Sequence, residues 1–373
     1  MSKIYIFGAG KNGIELLKLI NRLEIAEVDA FIDNDCKKLG TKIEGKECIS
    51  IEEAIRNGVQ KEQVIVSPKI YQSIETQLKE YNFKHIFCWS KFLPHPQYCI
   101  PIINDASDFK NAVPFNHYES PYPDITKIHK KEGKLFEKNK EILDIDFNIS
   151  GQLKLIEKMT KLNLPKWDGR YSYNNSWFVK GSADALYYMI RIIKPKTIIE
   201  IGSGYSTAIM LDVNEKYFGN QINIISIEPR PNRLKSLLKP KDNVDILEKD
   251  LQDIPPSFFE KLEENDMLFI DSSHVSKMDS DVNYEFFEIF PRLKQGVYIH
   301  FHDVYYPFIY PKTLIYDGRA YNEMYLLRAF LMNNKEYSIQ LFGEMLEEKY
   351  SKEIPSSLKG VGSGSLWIKK SSR

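Results

Sequence analysis

The chain has few cysteines and no excess of either charge. Its four cysteines show no CxxC or Cys/His spacing, which argues against a zinc site or a disulfide framework and favours a reducing compartment: Cys36, Cys48, Cys88 and Cys99. Lys plus Arg equals Asp plus Glu at 51 each, so no net field draws the protein to nucleic acid or to an anionic membrane. No secretory leader and no apolar run of about 18 residues is present. These absences predict a cytoplasmic protein with a small neutral partner.

The first part of the chain carries an alternating strand and helix pattern. Residues 3–8 (KIYIFG) are rich in apolar, β-favouring side chains, and GAGKNG and an amphipathic stretch over 14–23 follow them. The alternation continues to about residue 90, which predicts a small Rossmann-like α/β domain over 1–96. Residues 97–165 lose the periodicity except for one amphipathic helix, ISGQLKLIEKMTKL, and are interpreted as a connecting region.

The remaining residues, 166–373, repeat the same architecture on a larger scale. A helix, DALYYMIRII, precedes four strand patterns that alternate with helix patterns: KTIIEIG, INIISIEP, VDILEKD and DMLFIDSS. A fifth strand, GVYIHFHD, a long helix and two more strand candidates, YSIQLF and SLWIK, complete the pattern. This alternation predicts a second doubly wound α/β sheet with helices on both faces.

Acidic residues end four successive strands of this second domain, and a glycine turn follows the first of them. Because the carboxyl ends of parallel strands share one edge of a sheet, Glu200, Glu228, Asp250 and Asp271 are expected to lie on one rim. Glycines after Glu200 would let the backbone approach a ligand closely. A carboxylate before such a turn suits a ligand with an ammonium group better than a pyrophosphate. The rim therefore predicts a nucleoside site that does not take NAD.

The motif IEIGSGYST resembles the first motif of the class I S-adenosylmethionine-dependent methyltransferases. YESPYPD, LFIDSSHVSKMDSD, NEMYLLRAF and SGSLWIK are similar to a bacterial subgroup of that family whose substrates are mostly unassigned. The resemblance implies a seven-stranded sheet whose last strands form a reversed hairpin. It also implies that S-adenosylmethionine is the cofactor, bound by residues of the glycine turn and of the acidic strand ends: Glu200, Gly202, Ser203, Gly204, Ser206, Glu228, Asp250, Leu251 and Asp271.

Histidines and carboxylates near the last parallel strands are the candidates for acid–base chemistry. Imidazole titrates near neutral pH, so either His274 or His302 is predicted as the general base, with Asp303 beside it. Strand alternation puts His300 on the same face as His302. A purely structural role for these side chains is left open. So is a Mg²⁺ site formed by Asp271, His302 and Asp303, although a third carboxylate ligand is not obvious.

The N-terminal GAGKNG is a glycine pattern found in nucleotide-binding domains. Gly8, Gly10 and Gly13 lie between a strand and a helix, and Asp33 or Asp35 ends the next strand near the spacing of a ribose partner. FGAGKNG and FIDND resemble the small Rossmann-like modules fused to sugar-modifying acetyltransferases and methyltransferases. This domain is predicted either to bind a nucleotide or nucleotide-sugar or to have a structural or docking role.

The leading functional prediction is an S-adenosylmethionine-dependent methyltransferase that acts on oxygen or nitrogen of a small-molecule or sugar acceptor. The alternatives are an NAD-dependent oxidoreductase that uses the N-terminal glycines and a non-catalytic nucleotide-binding protein. Two aromatic stretches, RYSYNNSWF and VYYPFIYP, are candidates for an acceptor lid or for ordinary packing. The acceptor, the methylated atom and the formation of a homo-oligomer stay open.

Overall fold

The computed structural model describes residues 3–23, 27–68, 71–88 and 118–371. The chain forms two compact units, one of residues 1–125 with 316–318 and the other of residues 126–315 with 319–373. The predicted boundary between residues 96 and 97, like Cys99, lies outside the described residues. The division into 1–96, 97–165 and 166–373 therefore stays a prediction.

The first unit contains a six-stranded sheet in the order β3-β4-β2-β1-β5-β6. Its strands are β1 Lys3–Phe7, β2 Glu27–Ile32, β3 Lys42–Ile43, β4 Lys46–Ile49, β5 Gln63–Val66 and β6 His85–Cys88, and its helices are α1 Lys11–Leu23, α2 Ile51–Arg56 and α3 Gln72–Glu80. All pairs are parallel except β3 with β4. That short hairpin lies in a segment whose sequence indicated only turns.

Both faces of this sheet are covered, as a parallel sheet requires. Ile4 and Ile6 of β1 are fully buried against Leu16 and Leu17 of α1. The alternate side chains of β1 pack on the opposite face, in a cluster that includes Ala54 of α2 and Leu78 of α3. The period of two along the strand therefore divides the apolar side chains between two cores.

The second unit contains a seven-stranded sheet in the order β12-β13-β11-β10-β7-β8-β9. The strands are β7 Thr197–Ile201, β8 Asn223–Ile227, β9 Asp245–Leu247, β10 Met267–Ile270, β11 Tyr298–His302, β12 Tyr337–Leu341 and β13 Ser365–Lys370. Only β13 runs antiparallel to its neighbours β11 and β12. The predicted α/β class and the seven-stranded sheet implied by the family resemblance are confirmed.

The C-terminal part of the chain also contains α-helices, several of which contribute side chains to the core around this sheet. They are α4 Ile125–Leu135, α5 Ile149–Thr160, α6 Lys180–Ile193, α7 Tyr205–Phe218, α8 Asn232–Leu237, α9 Asp281–Tyr284, α10 Lys312–Tyr316, α11 Glu323–Leu331 and α12 Gly343–Tyr350. The amphipathic helix expected in the connecting region is α5, and its Ile156 and Met159 are buried. None of the described helices is both long and apolar enough to cross a membrane.

Two predicted helices are wrong in detail. SFFEKLEE forms a 3-10 helix over Pro256–Lys261 instead of an α-helix. NYEFFEIFPRL starts as α9, passes through a π-helical turn at Glu285–Ile289 and ends as a 3-10 turn at Phe290–Arg292. Pro291 lacks the donor that a continued α-helix would need there.

The order of the strands fixes where a ligand can enter the second unit. β7 lies between β8 and β10, so the chain leaves it in opposite directions on its two sides. Open α/β sheets bind ligands in the crevice at the carboxyl ends of such a switch point. The residues that follow β7, β8 and β10 therefore form the candidate site.

Candidate functional site

The turn after β7 has no room for side chains at its first glycine. Gly202 has a φ of +77°, and a Cβ there would lie 1.9 Å from the backbone oxygen of Asp271. Only glycine fits this position, because a Cβ would clash with backbone atoms, which cannot move aside as the end of a flexible side chain can. The turn after β7 is thereby packed against the residue that follows β10.

Glu200 lies beneath this turn and is completely buried. Its carboxylate accepts hydrogen bonds from the hydroxyls of Ser206 at 2.6 Å, Thr207 at 2.5 Å and Ser226 at 2.7 Å. Burial raises the pKa of Glu200 to about 7, against the lowering effect of the three hydroxyls. The structure thus shows Glu200 as the internal anchor of the glycine turn and of the first turn of α7. Its predicted contact with a cofactor, and that of Ser206, stays a prediction.

Glu228, at the end of β8, lies on the open side of the turn and is half-buried. Its Oε2 accepts the backbone N–H of Ser203 at 3.1 Å, and its Oε1 accepts that of Arg230 at 2.8 Å. Each carboxylate oxygen keeps a lone pair for a further donor. The hydroxyl of Ser203 is buried and has no hydrogen-bond partner among the described residues.

Asp250 and Leu251 follow β9 on the same rim. Asp250 is exposed and Leu251 is buried. A carboxylate at the surface beside an apolar side chain is an arrangement that can accept a base amino group and pack against its ring.

A cluster of two imidazoles and two carboxylates follows β10 and ends β11. His274 Nε2 lies 3.5 Å from both Asp271 Oδ1 and Asp303 Oδ2. His302 Nδ1 lies 3.4 Å from Asp271 Oδ1 and 3.7 Å from Asp303 Oδ1. The structure therefore brings together all four residues that the sequence singled out on these two strand ends.

His274 is enclosed by acidic groups. Its Nδ1 lies 2.8 Å from Oε2 of Glu323, the first residue of α11, and both residues are buried. Burial alone would lower the pKa of His274, but Asp271, Glu323 and Asp303 together raise it well above the ordinary value. Both ring nitrogens of His274 therefore face carboxylates, which favours its protonated form.

His302 has one nitrogen directed at the carboxylates, and its ring stacks on Phe178 with centroids 5.1 Å apart. Burial lowers its pKa, but Asp271 and Asp303 raise it above the ordinary value. The pKa of Asp271 shows the reverse balance, since burial raises it while His302 and His274 bring it well below its usual range.

His300 differs from His302 although both lie on the same strand. Its ring stacks on Phe269 at 3.9 Å, next to Trp367, and it is almost fully buried. Burial and the neighbouring His302 lower its pKa well below the ordinary value. His300 is a neutral core residue, so only His302 of this pair reaches the acidic cluster.

Two acidic residues around the cluster, Glu323 and Glu285, were missed by sequence reasoning, whereas Tyr305 belongs to the aromatic stretch VYYPFIYP. Tyr305 donates its hydroxyl to Asp303 Oδ1 at 2.6 Å. Glu323 faces His274, and Glu285, in the π-helical turn, is buried with neither carboxylate oxygen hydrogen-bonded among the described residues. An acidic residue in the first turn of a helix is normally a surface feature, so no local signal marks Glu323.

Within the described ranges, no group of three or more His, Cys, Asp or Glu side chains has the geometry to hold a metal ion. The Mg²⁺ alternative at Asp271, His302 and Asp303 thus finds no support there. Cys36, Cys48 and Cys88 are free thiols.

The two aromatic stretches lie next to these groups. In the first, Asn175 Oδ1 accepts the N–H groups of Trp177 at 3.0 Å and Phe178 at 2.7 Å, which fixes a turn that directs Phe178 at His302. In the second, three tyrosines line a cavity of about 550 Å³ together with Phe136, Lys138, Lys312 and other residues: Tyr305, Tyr306 and Tyr310. Tyr305 thus both lines this cavity and donates a hydrogen bond to Asp303.

The glycine turn of the first unit is also tightly built. A Cβ on Gly13 would lie 1.9 Å from the oxygen of Gly8, whereas Gly10 has open space beside it. Asp33 accepts the N–H of Ala9 at 2.7 Å and pairs with Lys38 at 3.0 Å. Its carboxylate therefore closes the turn, and its predicted role as a ribose partner stays a prediction.

Comparison with known proteins adds sequence and structural relatives. Residues 199–304 match the family described as a methyltransferase domain. An uncharacterized protein of Archaeoglobus fulgidus is 35% identical over 164 residues, which cover 41% of this chain and 74% of that protein. The O-methyltransferase TomG from Streptomyces achromogenes, solved with SAM, is 12% identical over 66% of this chain and 96% of its own, with a TM-score of 0.35. A UDP-D-quinovosamine 4-dehydrogenase from Vibrio fischeri is 19% identical over 23% of this chain and 76% of its own, with a TM-score of 0.21.

Proposed function

This chain belongs to the class I S-adenosylmethionine-dependent methyltransferases, and we propose that it methylates an oxygen or nitrogen atom of a small-molecule or sugar acceptor. One observation carries the proposal. The glycine turn, the carboxylate of Glu228 and the imidazole–carboxylate cluster all lie at the carboxyl ends of adjacent parallel strands. A nucleoside site and an acid–base group thus share one crevice, which is what methyl transfer to a protonated acceptor needs.

The residues on this rim fit S-adenosylmethionine. The unpartnered hydroxyl of Ser203 and the remaining lone pairs of Glu228 are placed to bind polar groups of a ligand at the turn. Glu228 would accept the ribose hydroxyls, and Asp250 with Leu251 would hold the adenine. Gly202 and Gly204 would face the methionine part, with Glu200 supporting them from below. When bound, the cofactor supplies an electrophilic methyl group on its sulfonium.

His302 is the proposed general base. Its Nδ1 faces Asp271, which favours the tautomer whose Nε2 accepts a proton. His274 differs because carboxylates face both of its nitrogens. We assign His274 and Glu323 a positioning role: they keep Asp271 and Asp303 ionised and fixed beside His302. Phe178 holds the His302 ring from the other side.

The cavity beyond Tyr305 is the proposed entry for the acceptor. Tyrosine rings offer flat surfaces for a sugar or another ring, and its lining also carries both lysines and glutamates. The hydrogen bond from Tyr305 to Asp303 connects this wall to the catalytic cluster. For the first unit we keep nucleotide or nucleotide-sugar binding at Gly8, Gly10 and Gly13 as the proposal. The oxidoreductase alternative is weaker because the second unit carries a cofactor rim of its own.

The full chain should transfer a tritium-labelled methyl group from S-adenosylmethionine to at least one compound in a panel of small-molecule alcohols, amines and sugars. His302→Gln should lower the initial rate by roughly 10²- to 10³-fold, the usual range for loss of a general base. Its affinity for S-adenosylhomocysteine should not change, because the substitution leaves the cofactor rim intact.

His85→Gln is the matched control, since His85 is an exposed residue of the first unit. It should retain the full rate. An equal rate for His302→Gln and wild type would remove His302 from the mechanism. Binding of S-adenosylhomocysteine without transfer to any compound in the panel would favour the non-catalytic alternative.

A further inference from the structure

Trp177 and Arg233 form a contact above the glycine turn of the second unit. The guanidinium carbon of Arg233 lies 3.9 Å from the centroid of the Trp177 ring. Asn175 fixes the backbone that carries Trp177. The ring therefore presents a held surface on which the guanidinium lies.

Arg233 also covers the turn directly. A Cβ on Gly204 would lie 3.2 Å from Cδ of Arg233, so the aliphatic part of this arginine passes over Gly204. Its Nη1 would lie 3.9 Å from the same Cβ, so the charge is held beside Gly204 of the glycine turn. Among the residues that the structure describes, Arg233 forms no ion pair with a carboxylate. Arg230, which precedes α8, uses its backbone N–H to bind Glu228.

An arginine stacked on an aromatic ring keeps its fork of N–H donors available at the edge of the guanidinium plane. That fork matches a carboxylate, which it binds through two parallel hydrogen bonds. S-adenosylmethionine and S-adenosylhomocysteine carry one carboxylate each, on the amino-acid group. With the ribose at Glu228, the amino-acid group would lie along the glycine turn, where Arg233 is found.

We infer that Arg233, stacked on Trp177, binds the carboxylate of the cofactor's amino-acid group and so selects cofactors that retain it. The inference rests on the proposed cofactor site. Arg233 is then a binding residue for the methionine part, and Trp177 is the residue that positions it. The sequence did not single out Arg233, whereas Trp177 belongs to the aromatic stretch RYSYNNSWF.

Two ligands separate this role from a general effect on the site. S-adenosylhomocysteine has the carboxylate, whereas 5′-methylthioadenosine has the same nucleoside without the amino-acid group. Calorimetry on the full chain should show that Arg233→Ala weakens S-adenosylhomocysteine about tenfold, as expected for one charge-assisted pair. The same variant should bind 5′-methylthioadenosine as wild type does. Arg233→Lys keeps the charge but loses the paired N–H donors of the guanidinium. It should weaken S-adenosylhomocysteine less than Arg233→Ala does.

Lys241→Ala is the control, because it removes an equal charge from an exposed position after α8. It should leave both affinities unchanged. Equal weakening of both ligands by Arg233→Ala would place the arginine on the nucleoside and overturn the inference, as would unchanged binding of S-adenosylhomocysteine. If wild type binds neither ligand, the cofactor site itself fails, which is a distinct result.

Discussion

The buried His274 shows how charges outside the motif set the state of the site. Burial should make this imidazole neutral, yet Glu323 lies 2.8 Å from Nδ1, and Asp271 and Asp303 lie 3.5 Å from Nε2. An isolated charge is unfavourable in a protein interior, whereas opposite charges that are hydrogen-bonded to each other can be buried there. The cluster therefore keeps a fixed internal charge pattern around His302.

Glu323→Gln should lower the pKa of His274, because the variant removes a buried negative charge from Nδ1. A group whose pKa is raised by folding stabilises the folded state below its unfolded pKa, about 6.5 for histidine. That stabilisation is lost as pH rises through the raised pKa. In Glu323→Gln the stabilisation that His274 provides should therefore be lost at lower pH than in wild type.

NMR titration of labelled histidine gives the pKa of His274 directly, and denaturant unfolding at several pH values gives the stability profile. Glu336→Gln, in the loop after α11, is a control whose change should leave the His274 titration in place. A His274 titration that is identical in wild type and Glu323→Gln would contradict the assigned charge pattern.

Single residues were predictable where a strand end or a turn fixes them. Gly202, Glu228, Asp271 and His302 each follow or end a strand, so alternation and the shared edge of the sheet place them together. Glu323 could not be placed in this way, since it belongs to a helix 49 residues away from His274 in the chain. Its contact depends on how α11 packs, which no local pattern records.

At the scale of elements, the segment before α6 is held to α7 by one arginine. Arg170 pairs through Nη1 with Asp212 at 2.8 Å and Glu215 at 2.7 Å, and through Nη2 with Asp242. Asp212 also accepts the backbone N–H groups of Arg170 and Tyr171. This network anchors the segment that carries Trp177 and Phe178 towards the site.

Arg170→Ala should destabilise the protein by about 3–5 kcal/mol, because it leaves buried carboxylates without their partner. The side chain of Arg170 is 5% exposed and that of Asp242 is 3% exposed, so water cannot replace the lost pairing easily. Denaturant unfolding monitored by circular dichroism measures the loss. Lys161→Ala removes an exposed lysine that pairs with Glu157, and it should remain close to wild type.

If Arg170→Ala lowers the free energy of unfolding no more than Lys161→Ala does, the segment is held by its aromatic contacts instead. Trp167 and Tyr171, whose ring centroids are 4.9 Å apart, are the contacts that would then account for it.

Most elements of both sheets were predictable because strands and helices alternate and the apolar periods are clear. The departures have local causes. Residues 256–261 and 285–292 deviate from α-helix near prolines, and the β3–β4 hairpin arises in a segment with too few apolar residues to indicate strands. Periodicity reports which face is buried, but it does not report the hydrogen-bond pattern within a turn.

For the whole molecule, the order of strands in the second unit gives the strongest link from sequence to function. Parallel strands β7, β8, β9 and β10 end on one edge, and the glycine turn and Glu228 lie there. The family assignment concerns this unit, since the matched methyltransferase domain covers residues 199–304. The acceptor depends on loops and side chains around Tyr305, whose chemistry no motif encodes.

The central claim is that this edge binds the nucleoside and amino-acid groups that S-adenosylmethionine and S-adenosylhomocysteine share, and calorimetry of S-adenosylhomocysteine with the full chain tests it most directly. Wild type should bind with micromolar affinity, and Glu228→Ala should weaken binding at least about tenfold through loss of charge-assisted hydrogen bonds. Glu248→Ala, which removes an exposed carboxylate that pairs with Lys235, should bind as wild type does. Absence of binding to the folded wild-type chain, or equal affinity for Glu228→Ala, would contradict the account.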